Sequence, residues 1–498
     1  MLHAKPLLLF ITLRRRIIVV SFVVICTCGI LSMWTNQLHP SKINMIPHTQ
    51  RETVNLAGPI DDDSGRFLTG RQFDRCVYYA RKLNTTGRCP WPPENVTDLL
   101  DPDTNEYDLT LRPWVREDPE SVAIAETYFH KLNAMYNGPE IKGSRLRQMV
   151  KKEQNLLMDP RVQSNYYLYP QVMDIVEAVD AVRRGEPVKQ NPVNDPVLKA
   201  VRTPSGVCNQ PLEVDNLDLV FLIKSCATCF MDREYTRKTL MQPVLWQNFR
   251  VRFVFVTGLP IHLAGPSIII EGVTIMVDKR VSRVDNQTEK LTSQLLEEAD
   301  KYQDLLIGNF GDTYYNLTLK MVLTFRWVAA FCGKQSSLYF FIDNDYSVYP
   351  PTLINLVKRL PLEVRPLVNF GTEGPARVVL RPIKGEKNTY AVSEDEIPWS
   401  QYPQYSSGSA YILGTKLVTD ASIAMAFTRH FRVDDAYLGI VWTKLGEQVY
   451  KLPQLKHQFQ NGEKLSEVIS APRGYLDQHL QRLLNTKTTT RVSLNSTT

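Results

Sequence analysis

The chain has 498 residues, enough for two or three domains, and its 58 basic and 52 acidic residues leave a net charge of only +6. The two signs are interspersed, and no lysine/arginine block outside the N-terminus would track a phosphate backbone. Composition and charge therefore exclude a nucleic-acid partner from the expected functions.

Taken in chain order, the first segment is a short basic tail, residues 1–16, ending in Arg14, Arg15 and Arg16. It runs into the uncharged stretch IIVVSFVVICTCGILSMW, residues 17–34, just long enough for a bilayer core. Trp34 falls where an interfacial aromatic would, and no small-residue cleavage site is evident. Arginines on the N-terminal side stay cytoplasmic, so the expectation is an uncleaved signal anchor with everything after residue 35 luminal. A removed signal peptide is the alternative. Sequons at Asn84, Asn95, Asn286, Asn316 and Asn495 are candidate glycosylation sites usable in that compartment. Six cysteines outside the span, Cys76, Cys89, Cys208, Cys226, Cys229 and Cys332, favour disulfides in an oxidising lumen. Cys226 and Cys229 have C-x-x-C spacing, but no second such pair or His pair accompanies them, so a structural bridge is the expected role.

Residues 35–70 are polar, carry Asp61-Asp62-Asp63 and read as a stem. From 71 to 205, SVAIAETYFHKLNAMYN and QVMDIVEAVDAVRRG have apolar residues at helical spacing, which predicts a helical accessory region. From 206 to 485 the pattern is α/β. LDLVFLIKS, VRFVFVTG, LLIGNF and SLYFFID read as strands, with KLTSQLLEEADKYQD, NLTLKMVLTFRWVAAFC and PPTLINLVKRL as helices between and after them. Such alternation predicts a largely parallel sheet covered on both faces, with ligands beyond the carboxyl ends of the strands. A short tail, residues 486–498, follows.

One of those strand ends carries the chemistry. FFIDNDYSVYPPTL places Asp343 and Asp345 one residue apart where a buried strand stops. An acidic turn returning to water reads the same way. At the carboxyl end of a parallel strand, however, hard carboxylate oxygens suit a divalent cation that also bridges a diphosphate.

The order of elements and several local motifs resemble the β-1,3-glycosyltransferases, the family of galactosyl- and N-acetylglucosaminyltransferases, from about residue 215 to 485. LVFLIKS followed by REYTRKTL is similar to the family's first strand and R-x-x-I-R-x-T-W motif, with Thr236 and Leu240 in place of Ile and Trp. YQDLLIGNFGDTYYNLTLK, QYPQYSSGSAYILG and RVDDAYLGI resemble further family segments, and FIDNDYSVYP occupies the place of its D-D-D motif. DDAYLGIVWTKLG looks most like the invertebrate brainiac-type enzymes.

The resemblance implies a GT-A-type α/β fold, a manganese ion (Mn2+), and inverting transfer to the 3-hydroxyl of a glycoprotein or glycolipid acceptor in the Golgi membrane. The donor would be UDP-galactose, UDP-GlcNAc or UDP-GalNAc. Asp345 is expected on the metal, with Asp343 supporting the metal or the donor and Asn344 keeping a polar contact. Arg233 and Arg237 are expected to bind the uracil–phosphate end of the donor or to pair with acidic neighbours. Asp435 is the expected general base, with Asp434 beside it on the acceptor side. Trp399, Tyr402 and Tyr405 are candidates for stacking on an acceptor sugar or for core packing, and Gly408 for close backbone approach. Two departures stand out. Pro472 replaces a family histidine, for which His457 and His479 are the candidate substitutes. Ser406 replaces a frequent cysteine, which leaves Cys332 to pair elsewhere, with Cys226 or Cys229 as candidates. Asn344 and Pro472 also fit a catalytically silent relative that binds glycans or assists a partner transferase.

Overall fold

In the computed structural model the described residues are 90–101, 104–111, 114–117, 166 and 173–495. The last stretch has short breaks at 206, 209–216, 262–266, 271–272, 277–286, 373–377, 384–389, 395 and 459–462. The expected membrane span and stem, and the sequons at Asn84 and Asn286, lie outside them. Among the described residues no helix is long and apolar enough to cross a membrane.

A single mixed sheet organises the fold. Its nine strands are β1 (Tyr107–Asp108), β2 (Lys199–Arg202), β3 (Leu219–Lys224), β4 (Val251–Leu259), β5 (Leu305–Gly311), β6 (Leu338–Asp343), β7 (Asn369–Gly371), β8 (Ala410–Gly414) and β9 (Tyr450–Lys451). Their spatial order is β1-β2-β5-β4-β3-β6-β8-β7-β9. The four central strands β5, β4, β3 and β6 are parallel, and both flanks, through β2 and β8, are antiparallel. This is a mixed sheet with a parallel centre, consistent with the expected GT-A class.

The strands are apolar on both faces because both faces are covered. On β3, Leu219, Phe221 and Ile223 point into one core while Val220 and Leu222 point into the other. On β6, Leu338, Phe340 and Ile342 alternate in the same way with Tyr339 and Phe341. A near-continuous hydrophobic run is what a doubly covered parallel strand requires. Two helix layers do the covering. Buried residues of α3 (Thr288–Tyr302) and α5 (Pro350–Arg359) share the first core with Leu480 of α8 (Arg473–Asn495). Buried residues of α4 (Leu317–Trp327), α6 (Thr415–Ala424) and α7 (Asp434–Leu445) share the second.

Three expectations need correction. The polar run MDREYTRKTLMQPVLW after β3, helix-like in sequence, is not one helix: α2 (Phe230–Lys238) ends before a separate turn that begins at Pro243, whose ring cannot continue the hydrogen-bond ladder. The described part of 71–205 is not a separate helical body. It supplies α1 (Ile175–Arg184), capped by Asp174 and left-handed Gly185, but also β1 and β2, which extend the sheet beyond β5. Trp91 fastens it to α6 by a 3.2 Å hydrogen bond to Ser422, and Asp195 pairs with the buried Arg326 of α4 at 2.8 Å. Finally, Cys332 pairs with Cys208, 124 residues away, and Cys226 with Cys229. Ser406, at the position of the frequent family cysteine, instead accepts a hydrogen bond from the Thr372 N–H.

Candidate active site

The chain builds β3, β4 and β5 outward in one direction and then returns to place β6 on the other side of β3. The sequence order therefore reverses between β3 and β6, the kind of position in an open α/β sheet where ligands bind. The cavity lies at that point. It measures about 440 Å³ and is lined by the strand-end residues Lys224, Asp343, Asn344 and Asp345, by Asp312–Tyr315, by Ser407–Ser409 and by Arg432–Asp435.

Lys224 ends β3 and Asp343 ends β6, in register as neighbours. The Lys224 ammonium lies 2.9 Å from Asp343 and 3.1 Å from Asp434, so one cation is shared by two carboxylates. Burial disfavours the ammonium, but the two carboxylates outweigh it and hold Lys224 well above its ordinary range. Burial raises Asp343, and the Lys224 charge works against that rise. Lys224 was missed in the sequence; the signal was a basic residue closing an otherwise apolar strand.

Asp435 lies in the first turn of α7, where a helix N-terminus favours negative charge, and accepts a 2.8 Å hydrogen bond from the Ala436 N–H. Burial first, and the Asp434 charge second, nevertheless push its carboxyl up to about 7. That is a proton acceptor poised near neutrality. Asp434 is buried against Lys224, which gives it an electrostatic role and leaves Asp435 as the carboxylate free for chemistry. Gly408 meets the expectation of close approach: a Cβ there would sit 3.0 Å from the Lys224 ammonium and 3.6 Å from Asp435 Cβ.

Asp345 is exposed at the cavity, and Asn344 is buried beside it with its backbone N–H on the Lys224 carbonyl at 3.1 Å. Pro472 pairs with Tyr346 in a short antiparallel ladder, and the Arg473 N–H reaches the Asp345 carbonyl at 2.8 Å. The Arg473 guanidinium holds the Asn344 carbonyl and Asp232. Of the two candidate histidines, His457 lines the cavity, with Nδ1 3.3 Å from Ser409 Oγ. His479 lies along α8, its ring against Tyr475, and is not part of the lining. Among the described residues no three His, Cys, Asp or Glu side chains gather as a preformed metal centre. For a cation, the end of β6 offers one open carboxylate, Asp345, and a second, Asp343, already held by Lys224. That donor set fits a hard cation completed by ligand phosphates and water rather than an all-protein cage.

Several predicted residues lie elsewhere. Arg233 is fully buried, bonding Glu298 through Nε and Nη2 at 2.9 and 2.5 Å and the Ser225 hydroxyl at 3.0 Å. Arg237 pairs with Glu298 at 2.7 Å and with Asp304 at 2.7 and 2.8 Å. Neither lines the cavity. They pair with acidic neighbours, and the donor role is corrected. Trp399, Tyr402 and Tyr405 are also core: Trp399 packs on Tyr166, Tyr402 on Phe431, and Tyr405 against Gly439 of α7, where a Cβ would approach it to 2.5 Å. The tyrosines that do line the cavity are Tyr314, Tyr315, Tyr346 and Tyr390, with the Tyr314 and Tyr390 hydroxyls 3.4 Å apart and Tyr390 49% exposed. Among the sequons, Asn316 is buried with its Nδ2 on the Gly311 carbonyl at 2.9 Å, so it has no room for a glycan. Asn95 is exposed, capping a short helical turn.

Under the expected role of Asp435 as a base, which works only when ionised, kcat/KM should rise with pH through about 7 and then level off. A profile flat from pH 5 to 8 would count against it.

A family model described as Galactosyltransferase matches residues 281–453, which take in β5, β6, Asp343–Asp345 and Asp434–Asp435. The chain is 30% identical over 182 residues to lactosylceramide 1,3-N-acetyl-β-D-glucosaminyltransferase A of Xenopus laevis, covering 36% of this chain and 45% of that protein. It is 28% identical over 176 residues to the Homo sapiens lactosylceramide 1,3-N-acetyl-β-D-glucosaminyltransferase, covering 35% and 44%. It is 26% identical over 246 residues to the Drosophila melanogaster β-1,3-galactosyltransferase brn, covering 49% and 66%. The matched stretch thus spans between 44% and 66% of these three relatives.

Proposed function

We propose, because residues 281–453 match a family model described as Galactosyltransferase and the chain is similar to β-1,3-glycosyltransferases, that it transfers a sugar from a UDP-sugar to the 3-hydroxyl of a glycan. Galactose and N-acetylhexosamines are the donor sugars of this reading, and a glycoprotein or glycolipid carries the acceptor. The observation that carries it is one cavity, at the reversal of strand order, holding strand-end carboxylates together with a carboxyl raised to about 7.

In this mechanism the donor diphosphate lies toward Asp345 and the ammonium of Lys224. Asp435 accepts the proton of the acceptor hydroxyl as that oxygen attacks the anomeric carbon, and the configuration inverts. Tyr314 and Tyr390 offer ring faces for the acceptor sugar. Asp345, with Asp343 and His457 in the same cavity, would hold a manganese ion, which when bound neutralises the departing diphosphate. The basic tail and uncharged span of residues 14–34 support a type II Golgi membrane protein with the cavity luminal.

A screen of UDP-sugars and acceptor glycans, read by mass spectrometry, tests the reading. UDP release that depends on acceptor is expected; binding of UDP without any turnover would point to the silent relative instead. Asp345→Ala is expected to abolish transfer and manganese binding, measured by paramagnetic resonance, while thermal stability holds. Asn344→Asp should be tolerated and tighten manganese binding. Full activity of Asp345→Ala, or in excess chelator, would remove the metal role.

A further inference from the structure

The Cys226–Cys229 bridge is unused by the proposed mechanism, although Cys226 is part of the cavity wall. It sits directly after β3 and ahead of α2, so a strand, a C-x-x-C turn and a helix N-terminus follow one another. Cys226 is half-buried, whereas Cys229 is 6% exposed. The cysteine on the cavity wall is therefore the more open of the two, and its partner is covered.

A purely structural role explains this bridge poorly. It joins residues three apart, and constraining so short a loop removes little freedom from the unfolded chain. Cys208–Cys332, with its separation of 124, does that work. The turn is also held without the sulfurs. Lys320 Nζ donates to the Ser225 carbonyl at 2.7 Å, Arg233 donates to the Cys226 carbonyl at 2.6 Å, and the Ala227 N–H donates to Asp312 at 2.5 Å. Lys320 and Asp312 are themselves paired at 2.6 Å, both 4% exposed. Opening the bridge leaves that framework in place.

We infer that Cys226–Cys229 is a reversible thiol–disulfide site on the cavity wall, reached by small thiols. A thiolate attacks Cys226 Sγ, forming a mixed disulfide, and the Cys226–Cys229 bond breaks with its electron pair leaving on Cys229. The released thiolate lies at the N-terminus of α2, where negative charge is favoured. A second thiol then attacks the mixed disulfide, so that two thiols are oxidised to one external disulfide and the bridge is reduced to two thiols. A thiol carried on Cys226 projects into the space that the proposed donor needs. This last consequence rests on the donor reading; the thiol chemistry does not.

The test uses full-length protein in graded reduced/oxidised glutathione buffers, acid-quenched, alkylated and peptide-mapped. Cys226 and Cys229 are expected to open and re-close together while Cys208–Cys332 stays closed and circular dichroism stays unchanged. A bridge that opens only with Cys208–Cys332, or only on unfolding, overturns the inference. Cys229→Ser is expected to retain a stoichiometric glutathione adduct on Cys226, and absence of that adduct in folded variant also overturns it. Calorimetry then reads UDP. Binding to the oxidised protein and none to the adduct is expected. No binding to the oxidised protein sinks the donor reading alone, whereas equal binding to both removes the coupling to the cavity.

Discussion

Asp435→Asn is expected to lower turnover by roughly 10²–10⁴, the usual worth of a positioned acid or base, with UDP-sugar binding within a few-fold of normal. The substitution is nearly isosteric but cannot take the acceptor's proton. Stability supplies an independent readout. A carboxyl raised on folding from 3.8 to about 7 opposes folding once it ionises, so above that pH the neutral amide costs nothing and is expected to keep or raise the melting temperature. Lost activity in a stable protein isolates the chemistry. A product of β configuration from an α-linked donor sugar, by NMR, completes the case. Near-normal turnover, or an α-linked product with a covalent sugar–enzyme intermediate, would sink the base assignment.

The site was legible where chemistry and strand pattern coincide. The apolar run Leu338–Ile342 ending in Asp343 announced both a buried strand and what it delivers to the crevice, and a parallel sheet locates that crevice at strand ends. Asp435 needed the resemblance, since an acidic pair in sequence reads equally as a solvated turn. Residues whose function depends on which neighbour they meet were not legible. Arg233 and Arg237 sit on a polar-looking helix, yet α2 turns them toward Glu298 and Asp304, which lie more than sixty positions away in the chain. Trp399, Tyr402 and Tyr405 are indistinguishable in sequence from Tyr314 and Tyr390; only packing sorts core from cavity.

Arg233→Leu is the second large expected effect, and it separates the two readings of that residue. Removing one partner of a buried charge pair typically costs about 3–5 kcal/mol, because the other charge stays buried. Here Glu298 keeps only Arg237, and Ser225, Cys226 and Ala227 lose a donor beside the cavity. Denaturant unfolding should move to clearly lower concentration. Arg233→Lys should recover little, since an ammonium cannot reproduce the forked contact. A donor-binding arginine predicts the reverse: a stable protein whose UDP affinity falls. That outcome would reinstate the sequence expectation.

The two strands ahead of the α/β segment carry a practical consequence for anyone trimming the chain. A fragment begun at residue 206 would omit β1 and β2 and leave β5 as an open border of unpaired N–H and C=O groups, a template for sticking to another molecule. The same cut would deprive the fully buried Arg326 of Asp195 and α6 of its tie to Trp91. The shortest stretch able to remain dispersed as a folded unit therefore begins upstream of Trp91, well ahead of the first residue that touches the cavity.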